Sequence, residues 1–371
     1  MKILFPFVGD SIGGSHISTF TLLNCLKTEY ADIKVDVLVF SANDEFKRHA
    51  LMHDIHYQEL GIKLNKYSKF NIVFDIIKSL NLAIKYLYRE DIDIVHTNDI
   101  RMNLIFLVAS KFVSTKHLWH QRTLMPRSAF GQRVYLLCDK LVVISNFILD
   151  QIHTSIPSNK LSMIYNPVES HSASSNELLV RKELFAKKKH TLAYVANMTQ
   201  QKKPEFFLEL AKHLTKIHPN KYQFIMIGRV SDGIKETVNE HKKCGDLDDA
   251  FEIAGFQSNM EEYWSSIDFL ISPAISEGFG RTLVEAMRAG VVVIAYNSGG
   301  HSEIIQHKYN GYLVDKLDVK IFTSKIFLME NNLNRYMEIL LNAHSDASLK
   351  YSVTRHANKI VTLYYEMIGD Q

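Results

Sequence analysis

Twice along this chain, short apolar runs alternate with segments of helix length, and that alternation restricts the fold more than any other feature. The runs 3–8, 35–40, 92–96, 116–120, 141–144 and 161–165 read as strands, and a second series reads so at 191–196, 222–227, 251–254, 269–272 and 291–295. Strands separated by helical segments build parallel sheets from βαβ units, and such sheets bind ligands at the carboxyl ends of their strands. Between the two series, over 169–190, the composition turns to Ser, Lys and Glu, the composition of a linker.

A length of 371 residues exceeds one core at roughly 150 residues per domain. With 46% hydrophobic and 22% charged residues, two globular cores can be filled. The expectation is an α/β chain of two doubly wound, Rossmann-like lobes facing a cleft, with the first over 1–168, a linker over 169–190 and the second over 191–351. The net charge of +3, from 43 Lys and Arg against 40 Asp and Glu, is too small to imply nucleic-acid binding. Cys25, Cys138 and Cys244 lack metal-ligand spacing and suit a reducing compartment. The first apolar run carries Pro6 and no small-residue cleavage site follows, unlike a signal peptide. No apolar run approaches the roughly 18 residues of a spanning helix, so a cytoplasmic location is expected.

The stretch 272–290, Ser-Pro-Ala-Ile-Ser-Glu-Gly-Phe-Gly-Arg-Thr-Leu-Val-Glu-Ala-Met-Arg-Ala-Gly, runs from a strand end through a Gly-rich loop into a helix. Leu283, Val284 and Met287 give that helix a stripe to bury. Its first turn, near Arg281 and Thr282, offers backbone N–H groups and a positive dipole end, and Gly278 and Gly280 let a phosphate come close to the main chain. Glu277 stands before the glycines, within reach of sugar hydroxyls beyond the phosphates. Glu285, one turn into the helix, is placed for a ribose. An isolated Glu there would only favour a helix start electrostatically; the pair with both glycines points to a ligand.

These residues resemble the Glu-Gly-Phe-Gly…Glu-Ala signature of the retaining glycosyltransferases of family 4, matched over 277–286. Gly13-Gly14, Ser145-Asn146-Phe147, Tyr165-Asn166-Pro167-Val168 and Gly299-Gly300 ahead of Glu303 extend the resemblance across most of the chain. It implies the two-lobed GT-B fold, with a C-terminal helix over 352–371 that returns to the first lobe. It also implies that Glu277 contacts the donor sugar, Glu285 the ribose, and the backbone at Phe279 and Gly280 the diphosphate. The family places an Arg and a Lys at the diphosphate; Lys202 matches the second, but Asn197 stands where Arg is common, and either Arg281 or Arg229 could supply the missing cation. Gly13 and Gly14 open a helix that could meet the diphosphate, and serve equally as a tight turn. His120 ends a strand where the family commonly has a His on the donor sugar, and a packed or surface histidine is the competing reading. His96, on an earlier strand, reads as structural.

The function implied is retaining transfer of a sugar, with UDP the commoner nucleotide in such families, to a glycan or lipid-linked acceptor in bacterial surface polysaccharide synthesis. No metal or other cofactor is expected: no Asp-x-Asp motif sits on a loop, and Asp248-Asp249 and Asp91-Ile92-Asp93 read as solvated. The segment 63–89 has Lys63, Lys66, Lys69, Lys78, Lys85 and Arg89 against Asp75 alone, with apolar residues at helical spacing. It suits peripheral attachment to an anionic membrane surface and equally a sheet-packing helix. Two other functions compete, a sugar-nucleotide epimerase or hydrolase of the same fold and a catalytically silent nucleotide-sugar binding subunit.

Overall fold

The computed structural model describes residues 1–63, 69–124, 133–169, 172–186, 189–230, 232–243, 247, 250–257 and 259–369, with backbone alone over 69–77 and 241–243. Lys66, Cys244, Asp248, Asp249 and the side chains of Lys69 and Asp75 therefore lie outside the described residues.

The chain forms two compact units, one of Met1–Val168 with Ser352–Gln371, the other of Glu169–Tyr351. In the first, β1 (Lys2–Phe7), β2 (Lys34–Val39), β3 (Gln58–Glu59), β4 (Ile94–Thr97), β5 (Lys116–Gln121), β6 (Lys140–Val143) and β7 (Leu161–Met163) make one sheet in the order β3-β2-β1-β4-β5-β6-β7. In the second, β8 (His190–Val195), β9 (Tyr222–Ile227), β10 (Phe251–Gly255), β11 (Phe269–Ser272), β12 (Val292–Tyr296) and β13 (Tyr312–Val314) follow the order β10-β9-β8-β11-β12-β13. Every ladder is parallel, as in β1 with β2 and β11 with β12. Strands such as β1 and β12 are near-continuous apolar runs because helices cover both faces. This is the two-lobed α/β GT-B architecture.

Strands β3 and β13 escape the sequence pattern, having two and three residues, too few to display a period. The segment 169–190 differs more. It is not a linker throughout, for it contains the helix Ser175–Phe185, part of the second unit. Ser174 accepts from the Glu177 N–H while Glu177 accepts from the Ser174 N–H, a capping box that satisfies donors on both sides. Leu178 and Phe185 are buried, and the Phe185 ring stacks on Tyr336 at 3.7 Å. The spacing Ser174-x-x-Glu177 was the available signal, masked by a polar composition.

The helix Val353–Gly369 buries Ala357, Ile360, Leu363 and Tyr364 in the core that holds Phe5, Phe20 and Ile94. In the helix Lys69–Arg89 the described apolar residues Ala83, Tyr86 and Leu87 are buried, and Leu80 and Ile84 pack on the same core. Lys78, Lys85 and Arg89 are exposed. That half therefore packs on its sheet in the ordinary way. No described helix is long and apolar enough to cross a membrane.

Because Ile360 is fully buried, Ile360→Ala should destabilise the first unit by about 2–5 kcal/mol. Denaturant unfolding followed by hydrogen exchange should show lost protection in β1 and β4 with the second unit unchanged.

Candidate functional site

The second unit gathers its chemistry at the carboxyl ends of β8, β11 and β12. Beyond β11, Ser276 (φ 55°) and Gly280 (φ 104°) take left-handed conformations, turning the chain into the helix Arg281–Arg288. Leu283, Val284, Ala286 and Met287 bury one face of that helix, which fixes its direction. No acidic residue lies in its first turn. The first N–H groups of a helix lack intrahelical acceptors and sit at its positive end, so this end attracts anions.

A second loop holds the first in place. The Gly300 N–H donates to the Glu277 carbonyl at 2.7 Å, and the Ser298 hydroxyl accepts from the Ser276 N–H at 3.0 Å. Gly299 has φ 61°, and a Cβ there would run into the Glu277 backbone; one on Gly300 would lie 2.7 Å from the Phe279 carbonyl. Glycine is required at both positions by close approach. The Phe279 side chain is buried and meets Tyr351 edge-on at 5.5 Å, which pins the loop from below.

Lys202 lies in a short 3-10 turn, Gln200–Lys202, after β8. Ile275 N–H donates to the Gln201 carbonyl at 2.9 Å, and the Gln201 amide donates to the Ser276 carbonyl at 3.0 Å. These bonds bring Lys202 Nζ onto Glu277 Oε2 as an ion pair, with side chains 28% and 20% exposed. Burial alone would push the Glu277 carboxyl up. The charge and hydrogen bond of Lys202, with His301 and the Phe279 N–H, outweigh it and hold that carboxyl below its ordinary value.

Arg281 Nε donates to Glu285 Oε1 at 2.7 Å, both side chains being largely buried. Its guanidinium is thus engaged along the helix while Thr282 stands beside it, half-buried. Asn197 is exposed, and its side-chain oxygen accepts from the Arg229 N–H at 3.2 Å. The Arg229 guanidinium lies 5.3 Å from the Phe256 ring centre. Asn197 thus ties down the turn after β9, and each candidate replacement cation has a partner of its own.

In the first unit, Gly13 precedes the helix Gly14–Glu29, and nothing lies within 4 Å of where a Gly13 Cβ would stand. Packing gives no reason for glycine there. His120 is fully buried: its Nδ1 meets His96 Nε2 at 3.0 Å, and His96 Nδ1 meets the Tyr364 hydroxyl at 2.6 Å. His356 stacks on His120 at 6.0 Å and bonds the Tyr165 carbonyl at 2.7 Å. Arg122 donates to Asn98 at 2.7 Å and to Asn166. His120 therefore belongs to a buried polar network, a placement that strand position alone did not reveal. Burial, aided by the Arg122 charge, holds His96, His120 and His356 below the ordinary imidazole value, His356 at about 3; burial with Lys111 takes His117 to about 3.

Comparison with known proteins fits this geometry. The description "Glycosyltransferase Family 4" matches residues 12–171 and "Glycosyl transferases group 1" matches residues 175–344. The chain belongs to family 4 of the glycosyltransferases. A relative in Escherichia coli, the UDP-Gal:alpha-D-GlcNAc-diphosphoundecaprenol alpha-1,3-galactosyltransferase, is 21% identical over 79% of this chain and 80% of its own length. The N-acetyl-alpha-D-glucosaminyl L-malate synthase of Bacillus anthracis is also 21% identical, over 88% of this chain and 87% of its own. Among solved structures, a glycosyltransferase from Rickettsia africae superposes with a TM-score of 0.82 at 21% identity, covering 100% of this chain and 99% of that one. Anabaena HepE in complex with UDP and glucose gives 0.79 at 19%, covering 99% and 100%. In a glycosyltransferase of this family, the loop over 277–280 and the turn over 298–300 are the parts to test.

Gly299→Ala should displace the Glu277 backbone while the fold persists, so that amide hydrogen exchange quickens over 276–280 with little change in circular dichroism. The four buried histidines of the first unit, His96, His117, His120 and His356, carry a pH dependence. Each is neutral in the fold and takes up a proton more readily when unfolded, near pH 6.5, so their contribution is complete above about pH 6.5 and is lost as the pH falls toward about 3. The melting temperature of the first unit should fall steadily from pH 7 to pH 5, above the ordinary carboxylate range; a flat profile there contradicts the assignment.

Proposed function

We propose that this chain transfers a sugar from a UDP-sugar to a glycan or lipid-linked acceptor, with retention at the anomeric carbon, in bacterial surface polysaccharide synthesis. The observation that carries the reading is the Lys202–Glu277 ion pair beside the start of the helix Arg281–Arg288. A nucleotide sugar offers each member of that pair a partner. Its diphosphate takes Lys202 and the N–H groups around Gly280, Arg281 and Thr282, and its sugar hydroxyls donate to Glu277. Glu285, steadied by Arg281, accepts from the ribose. The relatives' names support a lipid-linked acceptor and a uridine nucleotide.

In the proposed reaction the acceptor hydroxyl attacks the anomeric carbon on the face from which UDP departs. The bond from that carbon to the diphosphate oxygen breaks with its electron pair going to UDP. The hydroxyl proton passes to the departing oxygen, whose charge Lys202 and the helix start stabilise. On this account the protein supplies the compensating charge itself, without a metal.

Purified protein is incubated with a panel of UDP- and GDP-sugars, with and without lipid extract, and nucleotide release is followed. Acceptor-dependent release of UDP, with α-linked product from an α-linked donor, is expected; release independent of acceptor indicates hydrolysis, and binding without release a silent subunit. Glu277→Gln should lower kcat by about ten- to a thousandfold, at about 1.4 kcal/mol per tenfold, with the UDP Kd nearly unchanged. Glu285→Ala should instead weaken UDP itself.

A further inference from the structure

His301 follows the glycine pair and has entered the site so far only through its effect on the Glu277 carboxyl. It opens the short helix His301–Ile304 and is fully buried. Its Nδ1 lies 2.8 Å from the Tyr296 carbonyl at the end of β12. A carbonyl only accepts, so that nitrogen carries the proton. In the neutral ring Nε2 is then an acceptor, and Ser272 Oγ, at the end of β11, stands 3.4 Å away to donate.

One imidazole thus links the ends of two adjacent strands at the points where each gives rise to a loop of the site. The edge of the same ring lies below the helix start, its Cδ2 being 3.4 Å from where a Cβ on Gly280 would stand. Two charged groups act on it across the loops, Glu277 and Lys202, and Glu277 feels His301 in return. Burial keeps the ring below its ordinary proton affinity.

We propose that His301 is a positioning residue of the donor site, whose neutral ring ties β11 to β12 beneath Gly280 and so sets where Glu277 stands relative to the transferred sugar. The proposal rests on the sugar-transfer reading. A displacement of Glu277 by about 1 Å from its productive place can cost on the order of a hundredfold in rate. The nucleotide end of the site depends on the helix Arg281–Arg288, which its own buried face anchors. Loss of the ring should therefore act on the sugar and spare the nucleotide.

The test compares His301→Ala and His301→Asn in the full chain. Asn is chosen because its side-chain N–H can fall near Nδ1 and restore the bond to the Tyr296 carbonyl. His301→Ala is expected to lower kcat about ten- to a hundredfold with the UDP Kd within about threefold of wild type, and His301→Asn to recover most of that loss. Equal kcat in His301→Ala and wild type overturns the proposal. So does a parallel loss of UDP binding and thermal stability in both variants, which would make His301 a general packing residue. If the wild type binds UDP but transfers no sugar, the sugar-transfer reading has failed and His301 is judged by binding alone. The ratio of UDP-sugar to UDP affinity must then drop in His301→Ala and return in His301→Asn; an unchanged ratio overturns the proposal.

Discussion

A single backbone contact organises the second unit: the Gly300 N–H on the Glu277 carbonyl, at 2.7 Å. It joins the turn after β12 to the loop after β11, and it forms only because Gly299 and Gly300 present no side chains to the Glu277–Phe279 backbone. Everything nearby follows from that approach. The Glu277 carboxylate is aimed toward Lys202, Phe279 is driven into the interior beside Tyr351, and Gly280 is left at φ 104° to start the next helix. The loop is held on its other side by Gln201, through its carbonyl to Ile275 and its amide to Ser276. It is thus clamped between two neighbouring segments and does not rely on its own conformational preferences.

The two sheets were legible in the sequence because buried parallel strands are written as apolar runs of useful length, as at 222–227 and 269–272, where the observed strands have those same bounds. The helix after Gly280 was legible from Leu283, Val284 and Met287. Short elements were not: Gln58–Glu59 is polar and two residues long, and it is placed by tertiary partners, pairing with β2 and accepting the Ala42 N–H through Glu59. The segment 169–190 was misread because composition outweighed the one local cue, the Ser174–Glu177 spacing.

At the site, the pattern identified residues but not their partners. Lys202 and Glu277 lie 75 positions apart, and only the tertiary clamp makes them an ion pair. Asn197 reads in sequence as a missing positive charge, whereas in the fold its oxygen supports the backbone of Arg229. His301 had no legible role at all, since a lone histidine after two glycines carries no periodicity and its two ring partners come from different strands. His120 sits at a strand end as expected, yet it stacks on His356 and meets His96, which in turn meets Tyr364, and His356 and Tyr364 come from far along the chain.

That last feature bears on how the molecule is made. The helix Val353–Gly369 fills the core around Phe5, Ile94 and Val142, but residues 169–351 of the other unit must be translated before it exists. At about 5–20 residues per second the delay is on the order of ten seconds. During that interval the earliest-made sheet waits without the helix that completes its core, while the later-made unit gains its last strand, Tyr312–Val314, before that helix is translated. The second unit to be synthesised is thus the first that can finish folding, and a ribosome that stalls late leaves the beginning of the protein, not its end, exposed to aggregation and proteolysis.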